Sequence, residues 1–127
     1  MSGGSLTRAE NALAQVSGEA IERHIFLCAM SDKQKCCSRE DGKAAWLYLK
    51  RRLKEEGLAG PRKPGGGGVQ RTKADCLQIC AHGPIALVHP DQVWYHSCRE
   101  DVLERIIQEH LKNGRPVEEY RLRSPQD

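Results

Sequence analysis

The cysteines of this 127-residue chain are spaced as ligands of a metal cluster would be. Cys28 ends the apolar run Ile25-Phe26-Leu27, the adjacent Cys36 and Cys37 follow in a basic stretch, and Cys76 and Cys80 form a distant C-x3-C. Two thiolates from early positions and two from a later segment make up the four soft ligands that a pair of sulfide-bridged tetrahedral irons requires. The chemistry of such a 2Fe-2S centre is one-electron transfer.

A lone zinc fits these spacings less well, because zinc ribbons and knuckles clamp one ion with short C-x2-C turns. Here seven residues separate Cys28 from the vicinal pair, room enough for a larger group. A dithiol redox centre is disfavoured too: the chain has no C-x-x-C, and two adjacent cysteines form a strained ring when oxidised. A cysteine-ligated zinc interaction module and a thiol-based redox regulator are therefore the alternatives. A four-thiolate cluster is anionic in both redox states and needs donors and positive charge around it. Lys33, Lys35 and Arg39 flank the first group of cysteines, and Arg71 and Lys73 precede the second.

Composition narrows the field. A net charge of +3 with one Phe, two Trp and three Tyr supports neither a strong phosphate footprint nor a base-stacking surface, so nucleic acid is not expected as a partner. The first 23 residues are polar and small, and the longest apolar run, Ile25 to Met30, is six residues. Neither a secretory leader nor a membrane span is expected from such segments. The expected setting is soluble and cytoplasmic, where cysteines serve as metal ligands or redox groups more often than as structural disulfides.

The elements that must hold these thiols can be read from periodicity. Residues 1–23 are expected to be a flexible arm with a weak helix over Thr7 to Val16, residues 24–122 a single domain, and 123–127 a tail. Ile25-Phe26-Leu27 predicts a central strand that delivers Cys28 at its end. Ser31 to Gly42 reads as a loop, after which Trp46, Leu49 and Leu53 mark one face of a helix ending at Gly57. The Gly/Pro-rich 60–68 segment is expected to be a flexible internal connection. Val69 to Thr72 predicts a second strand, and Ile85 to Val88 with Val93 to His96 a hairpin across His89-Pro90-Asp91-Gln92. Ser97 and Glu100 suggest a capping box for a last helix with a buried stripe of Val102, Leu103, Ile106, Ile107, His110 and Leu111, stopped by Gly114. Strand, helix, strand, hairpin and helix in this order predict an α/β fold. It is a thioredoxin-like layout with a four- to five-stranded mixed sheet and flanking helices.

Several segments together give the chain a family likeness. They are His24-Ile25-Phe26-Leu27-Cys28, Lys35-Cys36-Cys37-Ser38-Arg39-Glu40, Trp46-Leu47-Tyr48-Leu49-Lys50, Arg71 to Cys80, and Gly83-Pro84 through Tyr95. Over about Ile21 to Leu122 the chain resembles the thioredoxin-like 2Fe-2S ferredoxins, which are similar to the small iron-sulfur subunit of NADH dehydrogenases and NAD-linked hydrogenases. The resemblance implies a non-catalytic electron carrier. Its partners would be redox proteins of the reductase, dehydrogenase or hydrogenase type, and a homodimer is part of the implication. Carried over by position, Cys28 matches the strand-end ligand, and Cys76 and Cys80 the later pair. The remaining ligand is Cys36 or Cys37, and counting back from Trp46 favours Cys37. Cys98 has no counterpart in the motif and reads as a partly buried structural thiol. Cys80-Ala81-His82 followed by Cys98 mimics the opening of a Rieske site, but Asp101 stands where its second histidine belongs. His82 is then a residue beside the cluster or on the surface.

Overall fold

The computed structural model describes residues 2–16, 20–29, 37–75, 77, 79 and 81–124. Five strands form one mixed sheet: β1 (Arg23–Cys28), β2 (Val69–Ala74), β3 (Ala86–His89), β4 (Val93–Tyr95) and β5 (Arg121–Leu122), in the order β2-β1-β3-β4-β5. β1 and β2 run parallel, and the remaining pairings are antiparallel. Helix α1 spans Ser2–Val16, α2 Arg39–Glu55 and α3 Glu100–Arg105, the last continuing as a π-helical segment over Ile106–Leu111. The strands expected at 25–28, 69–72, 85–88 and 93–96 are all present. The short β5, set by pairing Trp94 with Leu122 and Tyr95 with Arg121, completes the sheet.

Alternation along β1 decides which face is core. Ile25 and Leu27 are fully buried, as are Val88 and Tyr95 in β3 and β4. Against that face pack Leu49 and Leu53 of α2 and the whole predicted stripe of the last helix, Val102, Leu103, Ile106, Ile107, His110 and Leu111. On the other face His24 stacks on Phe26 with ring centroids 4.1 Å apart, and Phe26 meets His89 edge-on.

Three local expectations are corrected. First, residues 39–42 are helix, not loop: the Ser38 side chain accepts a hydrogen bond from the Asp41 amide at 3.0 Å, and Glu40 and Asp41 add favourable charge to the first turn. Second, Ser97 caps nothing. It has φ 54°, its amide donates to His82 O at 2.7 Å, its hydroxyl pairs with His96 Nδ1, and Arg99 takes the N-cap place without a side-chain bond. A tertiary tie to the 82 loop outcompetes the local box.

The third correction concerns residues 60–68, which form a hydrogen-bonded hairpin rather than a loose connection. Lys63 and Gly66 exchange both backbone bonds, Gly67 N donates to Gly57 O, Gly68 N to Gly60 O, and Arg62 N to Ala20 O. Glycine is required there for contact as much as for φ. A Cβ on Gly66 would sit 2.3 Å from Gly57 O, and one on Gly67 2.0 Å from Pro61 O. The end of α2 at Glu55, followed by Gly57 at φ 70°, is as read from sequence. Helix α1 is longer than the expected weak helix and leaves Leu6 and Leu13 exposed.

Candidate metal centre

Parallel pairing fixes which end of the sheet Cys28, Cys37 and Asp75 occupy. β1 and β2 lie side by side in register, Cys28 opposite Ala74, with α2 as the crossover between them. A crossover helix begins at the end of the sheet where the first strand stops. Cys28 at the end of β1, Cys37 just before the Ser38 cap, and Asp75 after the end of β2 are therefore brought to one end of the fold.

Cys28 is held firmly there. Its amide donates to Ile85 O at 2.9 Å, the next amide, Ala29 N, donates to Ala74 O at 3.0 Å, and the side chain is 2% exposed. Its Sγ lies 3.7 Å from Asp75 O, which ties the thiol to the residue immediately before Cys76. Cys37 is half-buried. Cys36, Cys76 and Cys80 lie outside the described residues, and among the described residues no three His, Cys, Asp or Glu side chains converge as a metal site. The donor chemistry suits a four-thiolate cluster. A rigid, buried cysteine at a strand end becomes a good soft ligand once its thiolate charge is shared with metal, and Arg71 and Lys73 on β2 supply positive charge toward the same end.

Cys98 is placed apart from this chemistry. Fully buried in the main core cluster, it has its thiol pKa pushed far up by desolvation and contacts His96 O through Sγ at 3.7 Å. It is a neutral, packed thiol, in accord with its reading from sequence. His82 is exposed at φ 55°, with its ring 6.4 Å from that of His96.

Sequence alone missed a polar chain at the other end of the sheet, where β1 begins. His110 Nε2 lies 2.6 Å from Asp91 Oδ2, Asp91 also accepts from Arg23 Nε at 3.0 Å, and His110 Nδ1 lies 2.7 Å from the Tyr95 hydroxyl. The Val117 amide donates to that hydroxyl oxygen at 3.0 Å. The hydroxyl proton is then directed at Nδ1, which leaves Nε2–H to donate to the carboxylate: a neutral imidazole with both nitrogens satisfied. Burial lowers the His110 pKa against the opposing pull of Asp91, and burial pushes Tyr95 up to about 12. A histidine within an otherwise apolar helical stripe, followed across the sheet by an aspartate in a turn, was the available signal.

No family model matches the chain. Among curated proteins it is 40% identical over 47 residues to a 2Fe-2S ferredoxin of Aquifex aeolicus (strain VF5), a match spanning 37% of this chain and 42% of that relative. It is 27% identical over 106 residues to a 2Fe-2S ferredoxin of Clostridium pasteurianum, covering 80% of this chain and 96% of the relative. Among solved structures, a thioredoxin-like [2Fe-2S] ferredoxin from Aquifex aeolicus superposes with a TM-score of 0.66 at 23% identity, over 85% of this chain and 96% of that one. A 1.5 Å crystal structure of the wild-type Aquifex protein gives 0.65, over 83% of this chain and all of that one. At such identity the structures speak for the fold, and the thioredoxin-like α/β architecture is the one expected from the element order. The chain is thus similar in sequence to curated 2Fe-2S ferredoxins, along most of its length in the Clostridium match, and it shares the fold of the thioredoxin-like [2Fe-2S] ferredoxin structures.

Proposed function

We propose that the protein is a one-electron carrier holding a single 2Fe-2S cluster through Cys28, Cys37, Cys76 and Cys80. The observation that carries this reading is the placement of Cys28: buried, hydrogen-bonded at a strand end, and tied through Sγ to Asp75, the residue before Cys76. The relatives' shared description as 2Fe-2S ferredoxins supports it. When bound, the cluster would supply a site that gains and loses one electron without bond breaking in a substrate. The protein's own part is to fix ligand positions, exclude bulk water from Cys28 and place cationic and amide donors near the sulfurs.

In this reading the protein is no enzyme, and its partners are redox proteins of the reductase, dehydrogenase or hydrogenase class. A cytoplasmic setting, which keeps thiolates available, and pairing of two copies belong to the same reading. Among the described residues no helix is long and apolar enough to cross a membrane. Chemical analysis tests the core of it. Purified protein is expected to be brown-red and to carry iron and acid-labile sulfide in equal amounts, about two of each per chain. Colourless protein carrying one zinc would replace this function with that of a zinc interaction module.

A further inference from the structure

The two flanks of α2 are used differently. At about 100° per residue, Tyr48 and Arg52 fall on the flank toward the last helix. There Arg52 meets Glu104 with Nε at 2.8 Å and Nη2 at 3.0 Å, and Tyr48 donates to the same carboxylate. Arg39, Lys43, Lys50 and Lys54 fall on the opposite flank, around Trp46, which adjoins edge strand β2. Register extends that flank across the sheet: Arg71 pairs with Ile25 and Lys73 with Leu27, so both point to the helix-bearing face. The Arg71 guanidinium lies 5.8 Å from the Trp46 ring centroid.

Internal pairing accounts for little of this charge. Among the described residues Lys43, Lys50, Lys54 and Lys73 have no ion partner, whereas Arg51, Arg52, Arg105 and Lys112 elsewhere on the helices do. Arg71 Nε is buried without a hydrogen-bond partner while the guanidinium lies against the Trp46 indole, and among the described residues Arg71 has no ion pair. Glu40 and Asp75 border the stripe, while Asp41 and Glu55 lie toward the other side of the helix. Leu47, 52% exposed, adds an apolar contact beside the lysines. Lysine on an edge strand also discourages strand-to-strand aggregation, which explains Lys73 but not the lysines of α2.

Resting on the electron-carrier reading, we propose that the α2/β2 flank, centred on Lys43, Trp46, Lys50, Arg71 and Lys73, is the docking surface for a redox protein with an acidic face. The stripe starts at the end of the fold where Cys28 and Cys37 lie, so a partner seated on it is brought to the cluster. Small, charge-steered contacts of this kind are what transient electron-transfer pairs use.

Binding and electron transfer can be tested apart. Oxidised holoprotein is titrated at low salt with oxidised cytochrome b5, an acidic haem protein, and with basic cytochrome c, by NMR line broadening and calorimetry. The expected result is cytochrome b5 binding that fades by about 200 mM salt. Lys43→Glu/Lys73→Glu weakens it about tenfold and gains affinity for cytochrome c. Arg115→Glu, an exposed charge on the loop after the π-helical segment, stays within about twofold of the parent protein. No binding to cytochrome b5, or equal loss in Arg115→Glu and in the double variant, overturns the docking surface. A protein that carries no iron-sulfur chromophore overturns the carrier reading instead, and the two failures are told apart by the absorption spectrum recorded before titration.

Discussion

His110 Nε2 sits 2.6 Å from Asp91 Oδ2, linking the π-helical segment to the turn between β3 and β4 through a side chain with no solvent exposure. The bond orients the imidazole so that Nδ1 receives the Tyr95 hydroxyl, and Arg23 on β1 closes the chain from the other side of Asp91. One residue thus joins the last helix, the hairpin, β4 and the central strand.

Stability should fall in acid because of this network. His110 has a folded pKa below its ordinary 6.5, owing first to burial, so the unfolded chain binds more protons once pH drops through that value. Its contribution is fully present above about pH 7 and declines below pH 6.5. Arg23 and Arg121 oppose a charged imidazole, and Asp91 favours it, without reversing the sign. Urea midpoints measured from pH 8 to pH 5 are expected to decline in the parent protein and to flatten in His110→Gln; an equal slope in both would remove His110 as the cause.

Tyr95→Phe removes two partners at once, the donor to His110 Nδ1 and the acceptor for the Val117 amide. Two buried polar groups left unsatisfied cost about 2–4 kcal/mol together. Equilibrium unfolding measures this directly, and a loss under about 0.5 kcal/mol would mean that water replaces the hydroxyl.

On the far side of the core, Glu104 gathers Arg52, Tyr48 and Gln108, and the Arg52 hydrogen bonds hold its carboxyl down at about 2. A depressed carboxylate stabilises the fold above its unfolded pKa and loses that effect as pH falls toward the folded one. Glu104→Gln is therefore expected to lower the thermal midpoint at pH 7 by a few degrees, with the gap to the parent narrowing below pH 4 as the parent loses the same ion pair. A constant gap across pH would assign the effect to packing.

Glycine substitutions separate the tight hairpin from the N-terminal helix. Gly67→Ala places a Cβ 2.0 Å from Pro61 O at φ +81°, whereas Gly4→Ala in α1 meets nothing within 4 Å. The first is expected to destabilise by about 2 kcal/mol or more and the second to be neutral or to add helix content. Circular dichroism melts compare them, and a tolerated Gly67→Ala would show that the 60–68 segment yields.

Much of this fold can be read from local pattern. The run ending in Cys28, the helix face of Trp46, Leu49 and Leu53, the hairpin around Pro90-Asp91 and the stripe from Val102 to Leu111 are all periodic, and all are present. What escaped depends on residues distant in sequence. Ser97 makes a good N-cap by type, but its amide is taken by His82 O. The glycines of 60–68 look loose until Gly57 and Pro61 carbonyls close on them. At the centre itself, Cys28 is placed where its strand predicts, and Cys98 falls in the core as a spare thiol. The preference for Cys37 over its neighbour rests on the resemblance and on the count back from Trp46, and Cys36, Cys76 and Cys80 lie outside the described residues.

Electron paramagnetic resonance of dithionite-reduced protein tests the central claim most directly. One unpaired electron per chain in a 2Fe-2S signal is expected, retained in Cys98→Ala and in Cys36→Ser. The signal should be lost or strongly altered in Cys28→Ser, Cys37→Ser, Cys76→Ser and Cys80→Ser. A purified protein silent on reduction and free of iron, or one whose signal survives Cys28→Ser unchanged, would contradict it.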